Sequence, residues 1–168
     1  MAKPIESNKT FVYLSGKVRW YQPRVANKWN KWDHVLYPDA ESLEILRDLQ
    51  AQGLKNVIKK DEDGYFLRIS RPVTKHTHTG KVLTFKQPGT FDADGAPFDG
   101  NVGNDSDVTT KVEVYKYITP GTKSGGIAMQ WVSTRIDNLV PFNPNSDLLP
   151  HQKEEIEGLM NQPPKEFF

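Results

Sequence analysis

Hydrophobic and polar residues alternate along residues 11–24. Val12, Leu14, Val18 and Trp20 fall on one face, and Tyr13, Lys17, Arg19 and Tyr21 on the other. A period of two predicts a half-buried strand. It places Trp20 in the core and Tyr21 on the polar face, and Pro23 ends the strand. Residues 28–37 form a second strand candidate containing Trp29, Trp32, Val35 and Tyr37. Trp29 and Trp32 fall on opposite faces, and the pattern leaves open which of the two is exposed.

The period then changes. Asp39 follows Pro38 as a helix N-cap, and Leu43, Ile45, Leu46, Leu49 and Leu54 have roughly helical spacing. A helix over 40–52 is expected, closed by Gly53. Residues 61–64, Asp-Glu-Asp-Gly, predict a turn. A strand over 65–72 follows, with Tyr65, Leu67 and Ile69 inward and Arg68 outward, and a short one over 82–85. Residues 86–107 are rich in Gly, Pro, Asp and Asn and predict a long irregular stretch. Alternation returns over 108–118, with Val112, Val114 and Ile118 inward and Lys111, Glu113, Tyr115 and Tyr117 outward. A glycine-bearing hairpin loop, 119–126, leads to a partner strand over 127–139. Residues 141–145 resemble a linker, and Asp147 opens a short helix with Ile156, Leu159 and Met160 on one face. Many short strands with one inserted helix predict an all-β, OB-like Greek-key barrel, with a β-sandwich as the alternative. The expected division is a barrel domain over 1–142 and a C-terminal tail over 143–168.

Length and composition are compatible with this picture. The chain has 168 residues, suited to one domain with a detachable tail. It has no cysteine, which excludes disulfides, thiolate zinc sites and cysteine nucleophiles. The first residues lack an apolar signal region and no apolar run approaches a membrane span, so a cytoplasmic protein is expected.

Charge changes the picture more. The net charge is +1. Residues 1–90 carry 16 Lys and Arg against 9 Asp and Glu, whereas residues 91–168 carry 6 against 12. A basic front and an acidic rear suggest a polyanion-binding surface and an acidic appendage.

The basic residues interleave with aromatic ones: Lys17, Arg19, Tyr21 and Arg24 are followed by Lys28, Trp29, Lys31 and Trp32. Unpaired nucleic acid is recognised by this combination, because cations track phosphates and flat rings stack on bases. Arg68, Arg71, Lys75, Lys81 and Lys111 add charge. Tyr115 and Tyr117 extend the stacking face, or else shield the sheet by cross-strand packing.

Catalytic signals are weak. The sequence has no phosphate-binding glycine loop, nucleophile elbow or HExxH helix. His76 and His78 lie two apart but have no further ligand grouped with them, and the Asp92–Asp94–Asp99 region lacks the closing Glu of a calcium loop. No metal or cofactor is expected. The alternatives to nucleic-acid binding are a carbohydrate- or peptide-binding β-module using the same rings, and a metal-dependent nuclease using His76, His78 and loop carboxylates.

Residues 100–115, GNVGNDSDVTTKVEVY, and 130–141, QWVSTRIDNLVP, resemble the C-terminal half of phage single-stranded DNA-binding proteins, the group that includes the T7-like replication proteins. Asp105 stands where that group has glycine. The resemblance implies an OB-fold, sequence-tolerant binding of single strands, a role in phage replication or recombination, and an acidic tail ending in Phe. Here the tail ends Glu166-Phe167-Phe168, so these residues would dock phage or host replication proteins. Single-stranded DNA is the expected partner, bound by monomers in a cooperative array or by a homo-oligomer.

Overall fold

The structure, a computed structural model, describes residues 9–77, 79–118 and 125–143. Among these residues nine strands and one helix run in the order β1 (Lys9–Gln22), β2 (Lys31–Pro38), α1 (Ala40–Ala51), β3 (Lys59–Asp61), β4 (Gly64–Pro72), β5 (Thr74–His76), β6 (Val82–Thr84), β7 (Gly89–Phe91), β8 (Ser106–Ile118) and β9 (Gly125–Asn138). Seven strands form one sheet, ordered β3-β4-β2-β1-β8-β9-β7, and β5 and β6 form a separate hairpin. The fold is all-β and OB-like, with one inserted helix. A single continuous sheet replaces the two facing sheets of the sandwich alternative.

The barrel depends on β1 serving two partners. Lys9–Val18 pairs antiparallel with β8, and Gly16–Gln22 pairs with β2. The two ladders overlap over Gly16, Lys17 and Val18, and Gly16 lies opposite both Pro38 and Val108. A β-carbon at this position would overlap the Tyr37 carbonyl oxygen and the Pro38 backbone. Glycine therefore permits the close approach at which the sheet turns its corner.

A bulge beyond Gly16 overturns one expectation. The register slips by one residue between Arg19 and Gln22, and Trp20 occupies the left-handed region at φ +50°. An extra residue reverses the alternation that follows it. Val18 and Tyr21 therefore both point inward, Tyr21 being 5 % exposed, while Trp20 is only half-buried. The expected assignment, Trp20 inside and Tyr21 outside, is the reverse of what the structure shows. A second bulge in β9 has the same effect, and Trp131 and Thr134 both face the core.

Leu14, Val18, Leu36, Leu67, Ile69, Val108, Val112, Val114 and Trp131 fill the barrel, and Leu46 and Leu49 of α1 close one end. Each such side chain contributes about 1.5–3 kcal/mol through burial. The Asp39 carboxylate caps α1 by accepting from the Ser42 amide at 2.8 Å. At the other end Gly53, at φ +101°, donates to the Gln50 carbonyl and Leu54 to the Leu49 carbonyl, both at 3.0 Å. This Schellman motif turns the chain onto β9. There Lys55 donates to the Ile127 carbonyl, and Ile127 donates to the Gly53 carbonyl. The seam between β4 and β9 is bridged by Arg71, whose Nη1 donates to the Trp131 carbonyl at 3.2 Å.

Three further expectations change. Tyr65 is not inward; it is exposed between Arg47 and Lys60, whose cationic groups lie 4.9 and 5.1 Å from its ring centre. The second strand begins at Lys31, so Trp29 stands in the preceding turn. The irregular stretch 86–107 contains β7, which pairs in parallel with β9 along its edge. The expected tail helix lies outside the described residues.

Candidate nucleic-acid interface

The turn that enters β2 presents an aromatic ring. Asn27 organises it: its side-chain oxygen accepts from the Trp29 and Lys31 amides at 2.9 and 3.2 Å, and its Nδ2 donates to Asp33 at 2.7 Å. Asn30 adopts φ +59°, a conformation asparagine tolerates, and its carbonyl accepts from Val73 at the base of β5. Trp29 is left 61 % exposed, with Lys28 Nζ 4.5 Å from its ring centre. Trp32 packs against the core.

Next to this turn a groove of about 310 Å³ opens between the ends of β2, β4 and β5 on one side and β8 and β9 on the other. Lys31, Lys55, Lys75, Tyr115 and Gln130 line it. Lys75 lies 5.6 Å from the Tyr115 ring centre, and Lys55 lies 5.3 Å from that of Tyr117. Burial, and then the Glu113 charge, push the Tyr115 hydroxyl above its ordinary pKa, so it remains a neutral stacking surface and hydrogen-bond donor. Among the described residues no carboxylate forms an ion pair with Lys31, Lys55 or Lys75.

Of the residues expected from the sequence, Lys31 and Tyr115 line this groove, Tyr117 adjoins it through Lys55, and Lys28 and Trp29 stand in the turn that leads into Lys31. Lys111 lies on the outer face of β8, 4.3 Å from the Phe11 ring centre. Most of the other cations are taken up by the protein itself. Lys17 pairs with Asp107 at 3.1 Å, and Arg68 pairs with buried Asp33 at 2.6 Å. Arg24 donates to Asn101. Arg71 bonds the Lys86 and Trp131 carbonyls, and its burial lowers its pKa. Arg19 is clamped between Asp105 and Asp63, both at 3.0 Å, over the Tyr37 ring. Burial alone would lower the Arg19 pKa, but its bonds to Asp105 and Asp63 hold it above the ordinary value.

Tyr21 belongs to the core. Its hydroxyl lies 2.6 Å from the Thr90 hydroxyl, and burial raises its pKa to about 12. Glu166, Phe167 and Phe168 lie outside the described residues, as does His78. Asp92 closes its own turn by accepting from the Asp94 and Ala96 amides at 3.0 and 2.9 Å. Among the described residues no cluster of His, Asp and Glu has the geometry to hold a metal ion, and no helix is long and apolar enough to cross a membrane.

The sequence reading missed Lys55 as a groove residue and noted Lys75 only as added charge. Lys55 follows the helix-terminating glycine, and only the pairing of that segment with Ile127 brings it to the groove. Asp105, in place of glycine, keeps the left-handed conformation at φ +69°. Aspartate tolerates that conformation, and its carboxylate supplies one jaw of the Arg19 clamp.

No family model matches this sequence, and no curated protein does. Solved structures do. The single-stranded DNA-binding protein gp2.5 of bacteriophage T7 superimposes with a TM-score of 0.56 at 13 % identity, over 80 % of this chain and 90 % of its own. The single-stranded DNA-binding protein of bacteriophage Enc34 gives 0.53 at 10 % identity, over 82 % and 86 %. Its C-terminally truncated form gives 0.52 at 8 % identity, over 82 % and 90 %. At these identities the likeness establishes that the chain shares the fold of these phage proteins.

Proposed function

We propose that this protein binds single-stranded DNA without sequence preference, and that the groove between β4–β5 and β8–β9 is where the strand lies. The observation that carries this reading is the placement of three lysines with no carboxylate partner among the described residues, Lys31, Lys55 and Lys75, around Tyr115, beside the exposed ring of Trp29. The cations meet phosphates and the rings stack on bases, and neither contact distinguishes one base from another. The fold shared with two phage single-stranded DNA-binding proteins supports the same reading. Coating of single strands during phage replication or recombination follows from such binding, and its role is binding rather than catalysis. A sugar-binding module would not require the cations.

In the same proposal, residues 143–168 form an acidic tail that competes with DNA for the groove or docks a replication protein. Titration of intrinsic tryptophan fluorescence with oligo(dT) at several salt concentrations tests the reading. Quenching that weakens steeply with salt is expected; no quenching, or binding indifferent to salt, overturns it. Tighter binding after truncation beyond Asn145 is the expected result for a competing tail.

A further inference from the structure

The outer face of β1 and β8 carries two large rings for which the groove does not account. Phe11 is 54 % exposed and Tyr13 58 % exposed, on a strand whose opposite face fills the core. Contiguous exposed rings on a sheet mark either a face that a partner covers or a surface that recognises a ligand. Their register indicates which. Lys9 is opposite Tyr115, Phe11 opposite Glu113, and Tyr13 opposite Lys111, so all of these positions share one face. Tyr115 is then the diagonal cross-strand neighbour of Phe11, at a spacing of about 7–8 Å. Tyr13 follows Phe11 on the same face, about 7 Å further along the strand. Tyr115, Phe11 and Tyr13 thus form a row that starts in the groove and continues across the outside of the barrel.

Charge favours the same occupant. Lys111 Nζ lies 4.3 Å from the Phe11 ring centre, and no carboxylate among the described residues forms an ion pair with it. Glu113, opposite Phe11, interacts electrostatically with the Arg71 guanidinium. Rings interleaved with a cation, continuous with a basic groove, match unpaired bases on a phosphate backbone better than an apolar protein surface.

We propose that Phe11, Tyr13 and Lys111 form a second stacking platform, which takes the nucleotides of a single strand as they leave the groove at Tyr115. This rests on the groove reading, which assigns the first part of the path. Bases stack on Phe11 and Tyr13 in turn, and Lys111 meets the phosphate between them.

The test separates the two readings by oligonucleotide length. Oligo(dT) of about five nucleotides fills the groove alone, whereas about fifteen also spans the platform. The double variant Phe11→Ala/Tyr13→Ala of the full chain should bind the short oligonucleotide as the unaltered protein does and lose about tenfold or more in affinity for the long one. Its melting temperature serves as the control for folding. Photolysis of long oligonucleotides carrying 5-iodouracil should crosslink to the peptide containing Phe11 and Tyr13; short ones should not. Unchanged affinity for the long oligonucleotide with no crosslink there overturns the platform. If Lys75→Gln and Tyr115→Leu then weaken both lengths, the groove reading stands without it. An equal loss at both lengths in the double variant overturns the proposed order along the strand. Failure of either length to bind the unaltered protein overturns both readings.

Discussion

The His34 imidazole stands 4.3 Å, centre to centre, from the Trp131 indole, near edge-on, inside a sealed barrel. Its Nε2 lies 3.1 Å from the Thr110 hydroxyl, and its Nδ1 has no hydrogen-bond partner among the described residues. Burial pushes its pKa down from 6.5 to about 3. The unfolded chain therefore takes up a proton near pH 6.5, while the folded one refuses it until about pH 3. Stability should be fully present above pH 6.5 and fall by about 1.4 kcal/mol per pH unit below it, down to about pH 3. Denaturant unfolding from pH 7 to pH 4 should show this slope, and His34→Phe should reduce it by one proton's worth. An unchanged slope in the variant would place the acid sensitivity elsewhere.

Gly16→Ala should destabilise the protein by about 3 kcal/mol. Overpacking costs about 1–3 kcal/mol where side chains can shift. Here the obstacle is the backbone of Tyr37 and Pro38, which also carries the β1–β2 ladder. Chemical denaturation measures the loss. A variant as stable as the parent would show that the corner of the sheet relaxes freely.

Tyr21→Phe should cost about 1 kcal/mol, the value of the bond to Thr90, and Tyr21→Ala about 3–5 kcal/mol. Neither should weaken the affinity of the remaining folded protein for single-stranded DNA, since the ring lies against His34 and Trp131 within the barrel. Binding measured well below each variant's unfolding temperature checks this. A selective loss of DNA affinity in Tyr21→Phe would return the residue to the interface.

Lys31→Gln and Lys75→Gln should each make the dependence of log affinity on log salt concentration shallower by about 0.7, the release expected for one single-strand phosphate. Lys17→Gln should change that slope far less, because Asp107 already neutralises Lys17. Equal slopes for all three variants would mean that the groove lysines have no special role.

Trp29→Phe should abolish most of the fluorescence change on adding oligo(dT). Trp29 is the exposed indole of the basic turn, while Trp131 is fully buried and Trp32 packs on the core. Retention of the full change in Trp29→Phe would assign the signal to Trp20 or Trp32.

Much of the fold was legible because local periodicity reports which face is buried. Val112 and Val114, Leu46 and Leu49, and Leu67 and Ile69 lie inside as their spacing requires. The Asp39 and Gly53 signals bracket α1 because capping depends on a few adjacent atoms. Alternation failed at Trp20 and Tyr21, because one extra residue in a bulge inverts every face that follows and leaves no mark in the pattern. It failed at Tyr65 because the end of a strand can lie beyond the edge of the core.

By itself, then, the sequence determined the strand-rich class, the inserted helix and the interleaving of cations with rings, all of which depend on neighbours a few positions apart. Only the tertiary structure decided which cations face a ligand. Asp107, Asp105, Asp63 and Asp33 are distant in sequence from Lys17, Arg19 and Arg68, and folding joins them into ion pairs. Long-range pairing of β1 with β8, of the segment after α1 with β9, and of Val73 at the base of β5 with Asn30 brings Lys55, Lys75 and Tyr115 to one groove and aligns Phe11 and Tyr13 with it. Contacts between residues so far apart along the chain have no periodicity to announce them; they exist only once the barrel closes.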